Sequence, residues 1–344
     1  MRYAILEEEY PNSMIPFSLT RPSFELIYGY RRILDWFREK LGDPSGFILP
    51  ERFREKYGSN RKWQDFDLVV NSTVKPEMLD KLIELKDGTS LYENGRPVAI
   101  KGEERGSRKI PVSGYLMQGP WELLKALKNP TFTKSRIEGN VESYVVIDDS
   151  AGPVIIENGS HVEAFSKIIG PAYISSGSRI SSARISGSYI GRGCRIGGEV
   201  ERSIIDDYTN KAHYGFVGDT YIGSFVNVGA GSTTSNLKNT YGIVRVRIGN
   251  STLSTGEVKM GSFIGDFAKI SINTSIMAGK IIGAGAYVSG TVSKNVKPFT
   301  FFNRKGNLEL IIEHIRRAMS RRNMPLDRPL ESIIRGAYHI VWGK

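Results

Sequence analysis

Large aliphatic side chains recur at every sixth position through the middle of the chain. Ile156, Val162, Ile168, Ile174 and Ile180 come first, then after a slip Ile190 and Ile196, and later Val258, Ile264, Ile270, Ile276, Ile282 and Val288. Gly, Ser and Asn fill many of the places between them. Such a six-residue period is a hexapeptide β-helix signature. Each step makes one short strand and one turn, and three steps close a triangular coil with the aliphatic residues stacked inside. A single coil buries little by itself, so stability comes from stacked neighbours. The slip between Ile180 and Ile190, with Ile185 midway, predicts a coil whose turns differ in length. Residues 137–146 predict an irregular first coil, and Lys297-Pro298 is expected to stop the strands.

Before the repeat the pattern changes. Residues 3–6 predict a strand, 24–41 largely a helix, 47–49 and 67–71 strands, 77–85 a helix, 90–101 a hairpin turning at Asn94-Gly95, and 121–127 a last helix. Alternation of this kind predicts an α/β layer domain. After the repeat, residues 307–342 predict two helices separated by Pro325 and Pro329, the first with Leu308, Ile311, Ile312, Ile315 and Met319 on its apolar side. The chain thus divides into an α/β domain over residues 1–130, a β-helix over 131–300 and a helical extension over 301–344.

Composition narrows the setting. Thirty-seven glycines fit a turn-rich solenoid. The single cysteine, Cys194, excludes an internal disulfide framework and Cys-based zinc sites, and in a repeat turn it reads as structural. A reducing, cytoplasmic setting is expected. The absence of a charged-then-apolar leader and of any run of 18 apolar residues predicts a soluble, non-membrane protein. Two glutamines, Gln64 and Gln118, beside many Lys, Arg and Glu, lean toward a thermophile. The formal charge of +11 predicts anionic partners. Residues 301–344 carry nine Lys/Arg against four Asp/Glu, and the pairs Arg316-Arg317 and Arg321-Arg322 are expected on the solvated face of a packed helix. With no helix-turn-helix, zinc-finger or RNA motif beside them, no nucleic-acid partner is expected.

The stretch 211–242, KAHYGFVGDTYIGSFVNVGAGSTTSNLKNTYG, interrupts the repeat with His213, Asn227, Asn236 and a Gly229-Ala230-Gly231 turn. From about residue 150 to 300 the chain resembles the left-handed β-helix acetyltransferase half of the bifunctional N-acetylglucosamine-1-phosphate uridylyltransferase/glucosamine-1-phosphate N-acetyltransferases. It is more similar still to a divergent bacterial and archaeal branch of that family. The branch shares Gly197-Gly198-Glu199-Val200-Glu201, Asn210-Lys211-Ala212-His213, Asn236-Leu237-Lys238-Asn239 and Ile272-Asn273-Thr274, and a reduced first domain opening with Pro-Phe-x-x-Thr-Arg-Pro, as at residues 16–22. The resemblance implies a left-handed prism over about residues 136–300, an exception to the right-handed crossovers seen in ~98% of cases. It also implies a homotrimer with acetyl-CoA as co-substrate in the cleft between adjacent prisms. His213 matches the family's catalytic histidine, and Asn227 and Asn236 match its substrate-contacting asparagines. Phe216 and Leu237 stand where the family has tyrosines, so the sugar pocket is expected to differ. Tyr214 and Lys211 are further substrate candidates, Lys211 for the sugar phosphate ahead of Arg179, Arg184, Arg195 and Arg202. Arg304 lies near where the family sets an arginine against the coenzyme's phosphates.

The residue types suit that chemistry. An amino sugar arrives mostly as an ammonium, so a base working near neutral pH must take a proton as nitrogen attacks the thioester, and histidine fits. The oxyanion then needs preorganised donors, expected from backbone N–H groups of Gly229, Ala230 and Gly231 or near Gly265. No covalent intermediate and no metal are required.

The first domain resembles the opening of the nucleotidyltransferase fold that makes nucleotide sugars, in which strand one runs into a glycine-rich loop ending in Thr-Arg and then Pro-Lys. Here the loop position holds Leu6-Glu7-Glu8-Glu9-Tyr10-Pro11, with Leu19-Thr20-Arg21-Pro22 after it and Ser23 next. A phosphate cradle needs close backbone approach, which glycine permits, and neutral or positive surroundings. Three glutamates repel a triphosphate, so a structural or substrate-shielding remnant is expected. Three readings follow: an acetyl-CoA-dependent N-acetyltransferase acting on an amino-sugar 1-phosphate, with glucosamine-1-phosphate the expected substrate; a sugar-1-phosphate nucleotidyltransferase or bifunctional enzyme; and a catalytically silent β-helix regulatory or scaffold subunit.

Overall fold

In the computed structural model, which describes residues 1–58, 62–102 and 108–343, the six-residue period folds as a left-handed parallel β-helix of eight coils. Each coil has three faces, stacked in parallel register on those of the next. On the first face the stacked residues are Ile155, Tyr173, Tyr189, Ile204, Tyr221, Phe263 and Ile281. They lie 15 to 18 residues apart except for one step of 42, between Tyr221 and Phe263. The slip in the period has a plain cause. The strands Arg179–Ser186 and Arg195–Glu201 run straight through the edge between the second and third faces, with Ser182 (φ 46°) and Gly198 (φ 71°) taking the bend.

The step of 42 residues contains an insertion with an antiparallel hairpin, Arg245–Ile248 with Ser251–Ser254, which the period did not announce. Val258 belongs to this insertion and is exposed, so the second run of the repeat starts at Ile264 rather than at Val258. In the irregular first coil, which ends the prism, Ile137 and Val146 are exposed as well.

On the first face the inward residue is an isoleucine in seven successive coils, from Ile156 to Ile282, and its outward neighbour is also apolar. An apolar pair at each step belongs to a sheet covered on both sides. The N-terminal domain provides the cover: Tyr189, Ile204, Tyr221, Phe263 and Ile281 share one core with Ile5, Phe17, Phe24, Leu68 and Val70. The outward columns of the other two faces are largely polar, with Arg179, Arg195, Asn210, Asn227 and Lys269 on the second and Lys167, Arg184 and Glu199 on the third.

The N-terminal domain is a six-stranded mixed sheet formed by β1 (Tyr3–Leu6), β2 (Gly46–Ile48), β3 (Leu68–Asn71), β4 (Thr89–Glu93), β5 (Arg96–Lys101) and β6 (Arg108–Pro111), in the order β2-β1-β3-β5-β4-β6. The β4–β5 hairpin turns at Asn94 and Gly95, both with positive φ, as that dipeptide favours. Its helices are α1 (Ile33–Leu41), α2 (Glu51–Tyr57), α3 (Leu79–Ile83) and α4 (Trp121–Lys125). The helix expected over residues 24–41 is only its second half. Ile27–Tyr28 and Arg31–Arg32 pair as a short hairpin around Gly29, where an added Cβ would lie 2.9 Å from the Ala126 carbonyl oxygen. Close packing beneath α4 decides that segment, over its helical pattern.

Strands do not stop at Pro298. Thr300–Phe301 and Arg304–Lys305 form one more hairpin on the end of the second face. Helices α5 (Leu308–Ser320) and α6 (Arg328–Trp342) follow, capped by the Asn307 and Asp327 side chains, with Pro329 inside the first turn of α6 rather than between the helices. Ile311, Ile312, Ile315, Met319, Ile334 and Tyr338 pack on Phe267 and Phe299 of the prism and on Leu19 of the N-terminal domain. One apolar cluster therefore ties all three parts together.

A polar wedge fixes the domain seam. Arg21, with 11% of its side chain exposed, reaches Asp206 at 2.6 Å and pairs with Asp266, while the Thr20 hydroxyl donates to Asp266 at 2.7 Å. Tyr221 donates to Asp206 at 3.2 Å and accepts the Ile27 N–H at 3.0 Å. Burial works against the Asp206 carboxylate, yet the charges of Arg21 and Arg32 hold its pKa below the ordinary value. Removing one partner of such a buried pair leaves the others uncompensated and costs roughly 3–5 kcal/mol. Arg21→Ala should lower the unfolding free energy by that amount in urea titration. Arg21→Lys should restore only part of it, because one ammonium cannot fork between two carboxylates.

Candidate functional site

With each edge numbered after the face it follows, the second edge, between the second and third faces, carries the histidine. His213 is exposed and makes no side-chain hydrogen bond among the described residues. The Gly229-Ala230-Gly231 turn follows on the next coil and Ile272-Asn273 on the one after: Gly231 N–H donates to the Tyr214 carbonyl at 3.0 Å and Asn273 N–H to that of Ala230 at 2.8 Å. Gly231 has φ 74°, and a Cβ there would lie 2.1 Å from Asn273 Oδ1 and 3.1 Å from the Tyr214 hydroxyl. The exposed Tyr214 therefore lies over a position that only glycine can fill.

The expected donors are corrected by this geometry. Gly229 N–H bonds the Ile270 carbonyl and Gly265 N–H that of Ile282, each at 2.8 Å, and Gly231 N–H is taken by Tyr214. These three glycines answer to coil stacking: a Cβ at Gly229 would meet Ile272 N at 2.5 Å, and one at Gly265 would meet Ala284 N at 2.6 Å. Ala230 N–H, among the described residues, is left without a protein acceptor.

Lys211 is also corrected. It follows Ile196 in the inward column of the second face and is 1% exposed, because its ammonium turns into the edge and donates to the carbonyls of Gly197 at 2.5 Å and His213 at 2.9 Å. A sugar phosphate outside the coil cannot reach it. Burial pushes its pKa down to about 8. The Gly197-Gly198 pair makes room for this arrangement, since Cβ atoms there would lie 2.3 Å from the Ala212 oxygen and 2.9 Å from Lys211 Nζ. Lys211 thus ties the backbone of the His213 turn to that of Gly197 on the preceding coil.

The two asparagines lie apart. Asn227 stands in the outward column of the second face and accepts from Asn210 Nδ2 at 3.0 Å. Asn236 lies at the third edge, where its amide donates to Asp219 at 2.6 Å and Arg202 grips the same carboxylate at 2.8 and 2.9 Å. Asp219 is six residues beyond His213, so the two edges are on the order of 15–20 Å apart at the strand rise. Arg304 is exposed on the terminal hairpin, beyond the eighth coil. Cys194 is fully buried and its thiol pKa is raised by that burial, in keeping with a structural residue.

Beside the His213 turn the third face carries a groove of about 420 Å³ that includes Phe165, Lys167, Arg184, Glu199 and Phe216. Phe165 and Lys167 lie outside every motif that interrupts the repeat. The registers align Lys167, Arg184, Glu199 and Phe216 in one outward column on four successive coils, the last on the strand that follows the His213 turn, at irregular spacings that the sequence does not flag. Among the described residues, no group of three or more His, Cys, Asp or Glu side chains is placed to hold a metal ion.

The glutamate loop of the N-terminal domain is occupied. Glu7 is buried, accepts from Ser23 N–H and Oγ at 2.7 Å each, and is pushed up to about 7 by burial. Glu8 pairs with Arg96, and Glu9 with Arg52 at 3.1 Å.

Residues 3–131 match the sugar nucleotidyl transferase family. A bifunctional sugar-1-phosphate nucleotidylyltransferase/acetyltransferase from Sulfurisphaera tokodaii is 32% identical over 241 residues, covering 63% of this chain and 57% of that protein. The bifunctional protein GlmU of Methanococcus vannielii is 33% identical over 223 residues (59% and 50%), and that of Methanocaldococcus jannaschii 30% over 250 residues (66% and 58%). The chain therefore spans between half and three-fifths of the length of these relatives.

Lys211 gives a pH signature. Its folded pKa of about 8 lies below the ordinary 10.5, so between those values the unfolded chain binds more protons and stability rises with pH. Lys211→Met should lack that rise. Denaturant midpoints at pH 7.5 and 10 should therefore shift in favour of the wild type relative to the variant as pH increases.

Proposed function

We propose that this relative of the bifunctional sugar-1-phosphate nucleotidylyltransferase/acetyltransferases is an acetyl-CoA-dependent N-acetyltransferase acting on an amino-sugar 1-phosphate, with glucosamine-1-phosphate as the expected substrate. The observation that carries the reading is the unpartnered His213 imidazole on the same edge, one coil away from the open Ala230 N–H. A base and an oxyanion donor on adjacent coils are the two groups that acyl transfer to an amine requires. The amine nitrogen attacks the thioester carbonyl carbon, and His213 takes the N–H proton as the C–N bond forms. Ala230 N–H receives the charge that develops on the carbonyl oxygen. The C–S bond then breaks, and His213 returns the proton to the departing thiolate. Lys167, paired with Asp148 at 3.6 Å, and Arg184, paired with Glu199 at 3.1 Å, line the third-face groove on the coils before that of His213 and replace Lys211 as the cations proposed for the sugar phosphate.

The edge also supports assembly. Tyr144 and Phe165 (78% exposed each), Tyr214 (69%) and Ile272 (67%) all project from the second edge, with the first two rings stacked at 5.9 Å. Aligned exposed apolar groups of this kind mark an interaction surface. A substrate that touches both the His213 edge and the Asn236 edge needs two copies, and a closed threefold ring supplies three equal clefts. The match over residues 3–131 favours nucleotidyl transfer as a second reading. Against it stand the Arg21 ion pairs with Asp206 and Asp266 and the buried Glu7.

Thiol release from acetyl-CoA with glucosamine-1-phosphate, compared with pyrophosphate release from UTP or dTTP with a sugar 1-phosphate, separates the readings; pyrophosphate release alone would overturn the first. His213→Ala should lower kcat and kcat/KM together by roughly 100-fold or more, with acetyl-CoA binding hardly changed. A folded variant acetylating at the wild-type rate would remove His213 from its role. Sedimentation should give a trimer, and a fully active monomer would contradict the shared cleft.

A further inference from the structure

Helix α5 and the turn after it leave a cleft of about 480 Å³ against the second face of the prism. Arg195 and Lys269 enter it from the outward column of the face, and Arg317, Arg321 and Arg322 from the helix side; no Asp or Glu lines it. The arginine pairs expected on a solvated face thus divide. Arg316 pairs with Glu331, while Arg321 and Arg322 face the prism. Arg317 has Glu313 as a partner. Arg195, Arg321 and Arg322 make no salt bridge among the described residues.

These like charges act on one another. Burial and the Arg195 charge, with that of Arg321, lower the pKa of Arg322; burial and Arg322 push Lys269 down to about 8. Arg322 donates to the Tyr208 carbonyl at 3.5 Å and Lys269 to that of Phe225 at 3.0 Å, but no carboxylate lining the cleft offsets their charge, and a cleft lined by one sign of charge concentrates counter-ions. Arginine forks match phosphate oxygens in pairs. Asn210 donates its amide to Asn227 Oδ1 at 3.0 Å, which leaves the Asn227 amide hydrogens free to donate into the same cleft. The volume falls in the range of small-molecule pockets, about 300–1,000 Å³, so a single phosphate would leave most of it empty.

We propose that this cleft binds a nucleoside diphosphate group, with its two phosphates among Arg195, Arg321, Arg322 and Lys269. The site lies on the second face, toward the first edge, where Tyr208 and Phe225 stack at 4.9 Å. His213 stands on the second edge, so the cleft is separate from the proposed acyl-transfer site. A nucleotide sugar and the coenzyme's adenosine diphosphate end both carry the required chemistry.

Calorimetric titration of the full chain at low ionic strength with UDP, ADP, coenzyme A and inorganic pyrophosphate tests the assignment without any turnover, so it stands or falls independently of acetyl transfer. At least one of the three nucleotides should bind more tightly than pyrophosphate. Arg195→Gln and Arg322→Gln should each weaken it roughly tenfold or more, the worth of one charge-assisted bond. Arg316→Gln should leave it unchanged. A preference for UDP indicates a nucleotide sugar, and a preference for coenzyme A indicates the coenzyme. Should a variant unfold by circular dichroism, Lys269→Gln takes its place in the comparison. No saturable nucleotide binding, or equal weakening by Arg316→Gln, would overturn the proposal.

Discussion

The close stacking of parallel coils, about 4.8 Å apart, governs the rest of this molecule. At that spacing an edge residue of one coil lies against the backbone of the next. Gly197, Gly229 and Gly265 each stand where a Cβ would come within 2.6 Å of a neighbouring backbone atom. The same stacking consumes backbone N–H groups coil by coil. An open donor such as that of Ala230 arises only where a turn departs from the ladder, and there the edge gains chemical capacity. The interior obeys the same rule, since a lysine can replace an aliphatic residue at position 211 only because two turn carbonyls receive its ammonium.

Stacking makes three faces, and the sequence then treats them unequally. The outward column of the first face is apolar and vanishes beneath the N-terminal domain. Helices α5 and α6 cover the first edge and part of the second face. The third face and the second edge, with His213 and its exposed aromatic residues, stay open. The N-terminal domain thereby works as a cover. Its Thr20-Arg21 pair grips two aspartates of the prism. A buried ion pair of this kind is costly to break yet adds little net stability over packed apolar residues.

The sequence by itself determined the prism, because a six-residue period has one physical meaning and each aliphatic residue reports on its own coil. It also determined the hairpin at Asn94-Gly95, where local turn chemistry suffices, and the two C-terminal helices, whose caps and apolar stripes are local signals. It carried the motif around His213 as well, through the residues that interrupt the period. Tertiary structure decided what depends on neighbours distant in sequence. The hairpin around Gly29 follows from contact with α4, and Lys211 turns inward because the register sets it on Ile196. Asn227 falls on the second face and Asn236 at the third edge because a whole coil face separates them. Arg321 and Arg322 meet Arg195 only because α5 folds back on the prism. A linear pattern records which way a side chain faces within its own coil. What stands opposite it, 15 residues away as for Ile196 and Lys211 or 126 as for Arg195 and Arg321, is fixed only when the coils have stacked.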